Sequence, residues 1–235
     1  MLSLDYHTHT YHSFDSMMKP EKILRIAKSR GLNGIVISDH NTIKGGLECE
    51  ALNKDPKFKV IVASEIKTNV GDITALNIKE EITERNFPDV VSATKRQGGL
   101  ILLVHPYHHH KLDEINFDAI DLIEGYNARE FGENNLKAVA LAKKMNKPVV
   151  AGSDSHLYNE IGNARTFYED FTDLTTPIST DWKRNSIHNE LMSQLVKAYK
   201  TKSGKRFYQW MLWAPKHLVK RIGEKPAKQS DSSSS

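Results

Sequence analysis

The sequence predicts an α/β fold, a closed or distorted barrel with a basic helical extension after it. Three observations predict this. Short apolar runs alternate with amphipathic helical segments over the first two thirds of the chain. The runs number about seven, which suits a barrel better than an open sheet. Five of them finish in ionisable side chains, as strands do where they face a catalytic mouth.

The first run, LSLDYH, reads as a strand. KPEKILRIAKSRG follows as a helix with Ile23, Leu24 and Ala27 on one face. Pro20 lies in its first turn and Gly31 just past its end, where helices start and stop. GIVISDH is a buried strand, and residues 43–53 fit a second helix. KVIVASE is the third strand and DITALNI the candidate fourth. Residues 86–98 form a helix closed by Gly98 and Gly99. LILLVHP and AIDLIEGYN are two further strands, residues 131–146 the next helix, and KPVVAGSDSH the last buried strand. Strands alternating with helices imply a parallel sheet, so the carboxyl ends should share one face. The barrel is expected over 1–170 and a basic, aromatic helical extension over 171–228. A disordered Ser-rich tail is expected over 229–235.

The 235 residues suit one domain of barrel size with an appendage. No apolar run is long enough to span a bilayer, and the N-terminus lacks the basic and apolar regions of a signal peptide. Cys49 is the single cysteine, so no intrachain disulfide forms and no cysteine cluster holds zinc. A cytoplasmic location is the expectation. The net charge is +4, yet residues 183–228 hold twelve Lys/Arg against Glu190 and Glu224, which leaves the remainder at −6. An acidic body can hold cations, and a basic tail can meet phosphates.

The strand ends carry the chemistry. LSLDYHTH ends in His7 and His9, GIVISDH in Asp39 and His40, VIVASE in Glu65, LILLVH in His105, and VVAGSDSH in Asp154 and His156. In a parallel barrel these ends converge in one pocket. Residues two apart on a strand point to the same side, so His7 with His9, and Asp154 with His156, can aim inward together. Imidazoles mixed with carboxylates suit manganese, zinc or iron; magnesium or calcium would favour more oxygen. Any one histidine alone is most simply a hydrogen-bonded strand-end residue. Five coincidences at strand ends make a metal site the better reading. So many donors exceed the needs of one ion, and Glu65 has two oxygens with which to bridge a cluster. The HHH at 108–110 lies in a loop and reads equally well as solvated or substrate-facing.

HTHTYHSFDS, GIVISDHNTIKGG, VASE, LLVHPY and GSDSHLYNEIGNA resemble, in order, the motifs of the PHP (polymerase and histidinol phosphatase) domain, over about residues 3–167. That resemblance implies a distorted (β/α)7, TIM-like barrel and two or three divalent ions (Mn, Zn or Fe) that hydrolyse phosphoesters. It implies His7, His9, Asp15, His40, Glu65, His105, Asp154 and His156 as ligands, with His12 a neighbour. Glu65 would bridge; His7, His9 and Asp154 would hold one ion, Asp15, His40 and His156 another, and His105 a third. Many members carry a further histidine at the end of the strand after the glutamate motif. KTNVGDITALNI has none, which leaves Asp72 as the nearby candidate.

The resemblance implies attack on phosphorus by a metal-bridging hydroxide, with Glu65, Asp154 and His156 in catalytic positions. Arg129, just past a strand end, is a candidate clamp for a phosphate, His108 a candidate acid and Asn127 a pocket-lining candidate. Arg165 is a weaker one. The expected activity is that of a phosphatase on a small phosphorylated metabolite or nucleotide. The alternative is a nuclease or phosphodiesterase that grips nucleic acid through residues 183–222, where aromatics interleave with Lys and Arg. A catalytically silent binding scaffold is the remote alternative, disfavoured by the intact donor set. An amidohydrolase is disfavoured because no bridging lysine stands at a strand end. In the extension, a helix is expected to pack Phe207, Trp210 and Leu212 onto the barrel and to end at Pro215.

Overall fold

Runs such as GIVISDH and KVIVASE become strands because β-branched residues pack well on a pleated surface, and here both faces are covered. The computed structural model describes residues 1–131 and 133–222. One sheet contains β1 (Leu2–Asp5), β2 (Gly34–His40), β3 (Lys59–Thr68), β4 (Gly71–Leu76), β5 (Leu100–Leu103), β6 (Leu122–Asn127), β7 (Val149–Gly152), β8 (Ala164–Tyr168) and β9 (Ser179–Trp182). Its order is β7-β6-β5-β4-β3-β2-β1-β8-β9, curled into a nearly closed barrel. Helices α1 (Pro20–Ser29), α2 (Lys44–Leu52), α3 (Phe87–Arg96) and α4 (Asn134–Lys144) fall where the periodicity predicts. After the sheet come α5 (Ile187–Lys200) and α6 (Gly204–Ile222).

Alternation sorts the side chains. Leu4, Val36, Ile61, Leu102, Leu122 and Val150 fill the barrel interior with Tyr6 and Tyr168, whose hydroxyls lie 2.6 Å apart. Ile35 and Ile37 face outward onto Ile23, Leu24 and Ala27 of α1. The barrel closes differently at its two ends. At the amino end of β1, β8 pairs antiparallel with it, and β8 meets β7 through the Ala151 N–H, which donates to Thr166 Oγ1 at 2.9 Å. At the carboxyl end, the extensions of β1 and β7 pair directly. His9 N–H donates to the Ser155 carbonyl at 2.9 Å, and Ser155 N–H to the His7 carbonyl at 3.1 Å.

The expectation of an all-parallel sheet is corrected. β4 runs antiparallel to both β3 and β5. Only Asn69 and Val70 separate β3 from β4, too few for a crossover, so the chain must turn back as a hairpin. The sheet also continues past residue 170, through the hairpin of β8 with β9. Pro215 does not end α6: the missing N–H bond of an interior proline and the clash of its ring with the preceding turn cost about 3 kcal/mol, a loss that a helix of 19 residues carries. Nor do Phe207 and Leu212 pack on the barrel. They are 46% and 53% exposed, because α6 lies against α5, where the Trp210 Nε1–H donates to the Leu191 carbonyl at 2.9 Å. Among the described residues no helix is long and apolar enough to cross a membrane. The predicted tail at 229–235 lies outside the described residues.

Candidate metal centre

The donors meet at the carboxyl ends of the parallel strands. Glu65 lies near the end of the buried part of β3, and its carboxylate is the hub. Oε2 lies 3.4 Å from His7 Nε2, 3.5 Å from His9 Nε2 and 3.0 Å from His40 Nδ1. Oε1 lies 3.0 Å from His105 Nε2. Asp154 Oδ1 lies 3.5 Å from His9 Nε2, 3.8 Å from His7 Nε2 and 3.3 Å from His156 Nδ1. Asp15 reaches His40 Nε2 at 3.2 Å and His156 Nε2 at 3.3 Å. Four sets each gather one ligand atom per residue within 4.8 Å: His9, Asp15, His40 and His156; His7, His9 and Glu65; His7, His105 and Asp154; Glu65, Asp72 and His105. Asp72 reaches the cluster because β4 is reversed, which puts the start of that strand at the end where β3 finishes.

The donor atoms fit divalent ions. The His7 Nδ1–H donates to Glu124 Oε1 at 3.0 Å. Ser13 Oγ donates to Asp39, so it accepts the His9 Nδ1–H at 3.2 Å. The His9 ring therefore turns an Nε2 lone pair into the cluster, while the His7 Nε2 lies 3.4 Å from Glu65 Oε2. His9 Nε2 is buried and makes no hydrogen bond, although carboxylate oxygens face it. Acceptors aimed at acceptors need a cation between them, and second partners on the outer nitrogen are how proteins orient ligating imidazoles.

The charges are strongly coupled. Burial alone would raise the carboxyls of Asp15, Glu65 and Asp154. The surrounding imidazoles outweigh it, His156 and His40 for Asp15, His40 and His7 for Glu65, and His7 for Asp154, and all three stay well below the usual range. Burial would likewise lower His7 and His40. Asp154, Glu124 and Glu65 hold the first well above its usual value, and Glu65 and Asp15 the second. His105 is raised to about 9, as Glu65 overcomes burial. His9 goes the other way, to about 3, through burial and the imidazoles of His156 and His40. His105 and Asp154 adopt left-handed backbone, with φ of 27° and 50°. Such strain in non-glycine residues is held by surrounding bonds; here the His105 N–H donates to Glu124 Oε2 at 2.8 Å.

Other expected residues fall around this cluster. Asn127 Nδ2 donates to Glu124 Oε2 at 3.0 Å and Asp154 Oδ2 at 3.3 Å. The Arg129 guanidinium lies against His156 Nδ1 and Ser193 Oγ. His108 stands half-exposed beside His105, with Nδ1 2.9 Å from Glu130 Oε1. His12 binds Glu48 at 2.9 Å, outside the donor sets. Asp39, at a strand end, serves instead as an acceptor for Thr10 and Ser13. Arg165 turns to the carbonyls of Gly162 and Arg30. Sequence reasoning missed Glu124, which is fully buried and holds two candidate ligands. A carboxylate inside the apolar run LIEGYN was its signal.

Known proteins give a consistent comparison. A family model described as the PHP domain matches residues 5–129, and one described as PHP-associated matches 132–178. An uncharacterised protein of Methanocaldococcus jannaschii is 30% identical over 161 residues, which is 61% of this chain and 94% of that one. Among solved structures, the fold is similar to that of a two-domain protein from Bacteroides vulgatus containing a predicted PHP-like metal-dependent phosphoesterase. The TM-score is 0.60 at 17% identity, over 72% of this chain and 59% of that one. It is also similar to PsfC from Pseudomonas syringae, with a TM-score of 0.57 at 15% identity, over 86% of this chain and 98% of PsfC.

Proposed function

The chain belongs to the PHP domain family, and from that premise we propose that it is a metal-dependent phosphatase acting on a small phosphorylated metabolite or nucleotide. The observation that carries this reading is the buried Nε2 of His9, which makes no hydrogen bond and faces the carboxylates of Glu65 and Asp154. His7, His9 and Asp154 would hold one ion, Asp15, His40 and His156 a second, and His105 with Asp72 a third, with Glu65 shared. Manganese, zinc and iron suit this donor set. Bound there, such ions supply an activated water and neutralise charge on the phosphoryl group.

The remaining work falls to the chain. Glu124 and Ser13 fix the tautomers of His7 and His9. Asn127 steadies Asp154. Arg129 braces His156 and lends positive charge to the pocket, where a phosphate would be drawn. His108, backed by Glu130, stands where it can give a proton to a leaving oxygen. The test is phosphate release from a panel of phosphomonoesters with manganese added and a chelator control. Release that the chelator stops is expected; no release from any member would sink the monoesterase reading.

A second reading, cleavage of nucleic acid, has one observation in its favour. Phe207 and Tyr208 are exposed beside Lys205 and Arg206 on α6, and such surfaces can stack bases. Substrate binding that weakens steeply with salt would favour it, since polymer binding releases counterions.

A further inference from the structure

Most amphipathic helices dock by their apolar side; α5 docks by its polar one. Asn189, Ser193, Lys197 and Lys200 share a face of the helix. Asn189 Oδ1 accepts from Asn159 Nδ2 at 3.1 Å. Ser193 Oγ lies against the Arg129 guanidinium. The Lys200 ammonium donates to the carbonyls of Tyr11, Ser13 and Ser16, in the loop that carries Asp15. The helix is thereby bolted across one side of the metal mouth.

Lys197, between these anchors, has no such bond. Its Nζ lies 4.5 Å from the centroid of the Phe14 ring. That ring stacks on His40, with centroids 4.5 Å apart and planes 10° from parallel. Among the described residues its ammonium makes no hydrogen bond or ion pair. The carboxylates of Asp15 and Glu65 attract it, while Arg206 and Lys67 stand near enough to repel it. A partly buried cation, held by an aromatic ring and left without an anion at the edge of a donor cluster, has the form of an unfilled anion site.

We propose that Lys197 binds a phosphoryl oxygen of the substrate, so that α5, outside the sheet, completes the active site. This rests on the phosphoesterase reading above. One oxygen of the phosphoryl group would face the cluster and another would face Nζ.

The test uses the full chain loaded with manganese and inorganic phosphate as the probe, followed by calorimetry. Lys197→Met and Lys197→Gln are expected to weaken phosphate at least tenfold at unchanged manganese content and melting temperature. Lys197→Arg should restore most of the affinity. With substrate in hand, Lys197→Met should raise KM more than it lowers kcat. Wild-type affinity in both neutral variants would overturn the proposal and leave the phosphoesterase reading standing. Loss of manganese or of thermal stability in both would make Lys197 structural and overturn it too. Failure of the loaded wild-type protein to bind phosphate would overturn both.

Discussion

Glu124 touches no position expected to hold an ion through its own oxygens, yet it fixes how two candidate ligands stand. Oε1 accepts from His7, and Oε2 accepts from the His105 backbone and from Asn127. Glutamine keeps the shape but turns an NH2 toward one of these donors. In Glu124→Gln the manganese affinity should fall by about 10–100-fold, with a stability loss of about 1–3 kcal/mol from the mismatched donor. Competition with a chromophoric chelator measures the first; unchanged affinity would show that His7 holds its orientation unaided. At this scale the sequence was readable where members of the buried donor cluster terminate apolar runs, as with Glu65 and Asp154. It was unreadable where roles depend on partners. Nothing in GIVISDH says that Asp39 bonds Thr10 and Ser13 while His40 turns inward.

Elements hold the site through close approach. At Gly152, the last residue of β7, an added Cβ would lie 2.2 Å from Glu124 Oε1 and 2.6 Å from the His7 Cβ. Neither neighbour has room, so Gly152→Ala should cost about 1–3 kcal/mol of stability and weaken manganese binding as well. Denaturant unfolding with and without manganese checks this; a fully stable, metal-binding variant would mean that β7 can move. Strands with strong apolar runs were legible at this scale, as were α1 and α3. β9, with the sequence STDW, has no such run and owes its place to pairing with β8. The docking of α5 was hidden for a related reason. Hydrophobic periodicity finds apolar seams, and this helix is held by Ser193, Lys200 and backbone carbonyls.

For the whole molecule, binding and folding are linked. Ions held as proposed by Asp15, Glu65, His105 and Asp154 would draw together four separate segments, and a cation that binds only the folded state stabilises it. At a hundredfold excess over Kd the gain is about 2.7 kcal/mol. For a chain of this size that raises the melting temperature by about 5–10 °C. Scanning calorimetry with manganese against chelator should show the shift, and identical traces would argue against a resident metal. The barrel class was legible because alternation of strand and helix leaves few topologies. The direction of β4 was not, since direction rests on the two-residue Asn69-Val70 link rather than on any strand's composition.

The direct pairing of the β1 and β7 extensions has a consequence for biogenesis. His7 and His9 leave the ribosome some 150 residues ahead of Asp154 and His156, on the order of ten to thirty seconds of synthesis. Ser155 must then find the backbone beside Thr8. Until that late, long-range closure occurs, six of the eight candidate ligands hang on an unfinished chain. Chains arrested before residue 150 should therefore bind manganese no better than isolated peptides do, so that ion capture marks a completed barrel.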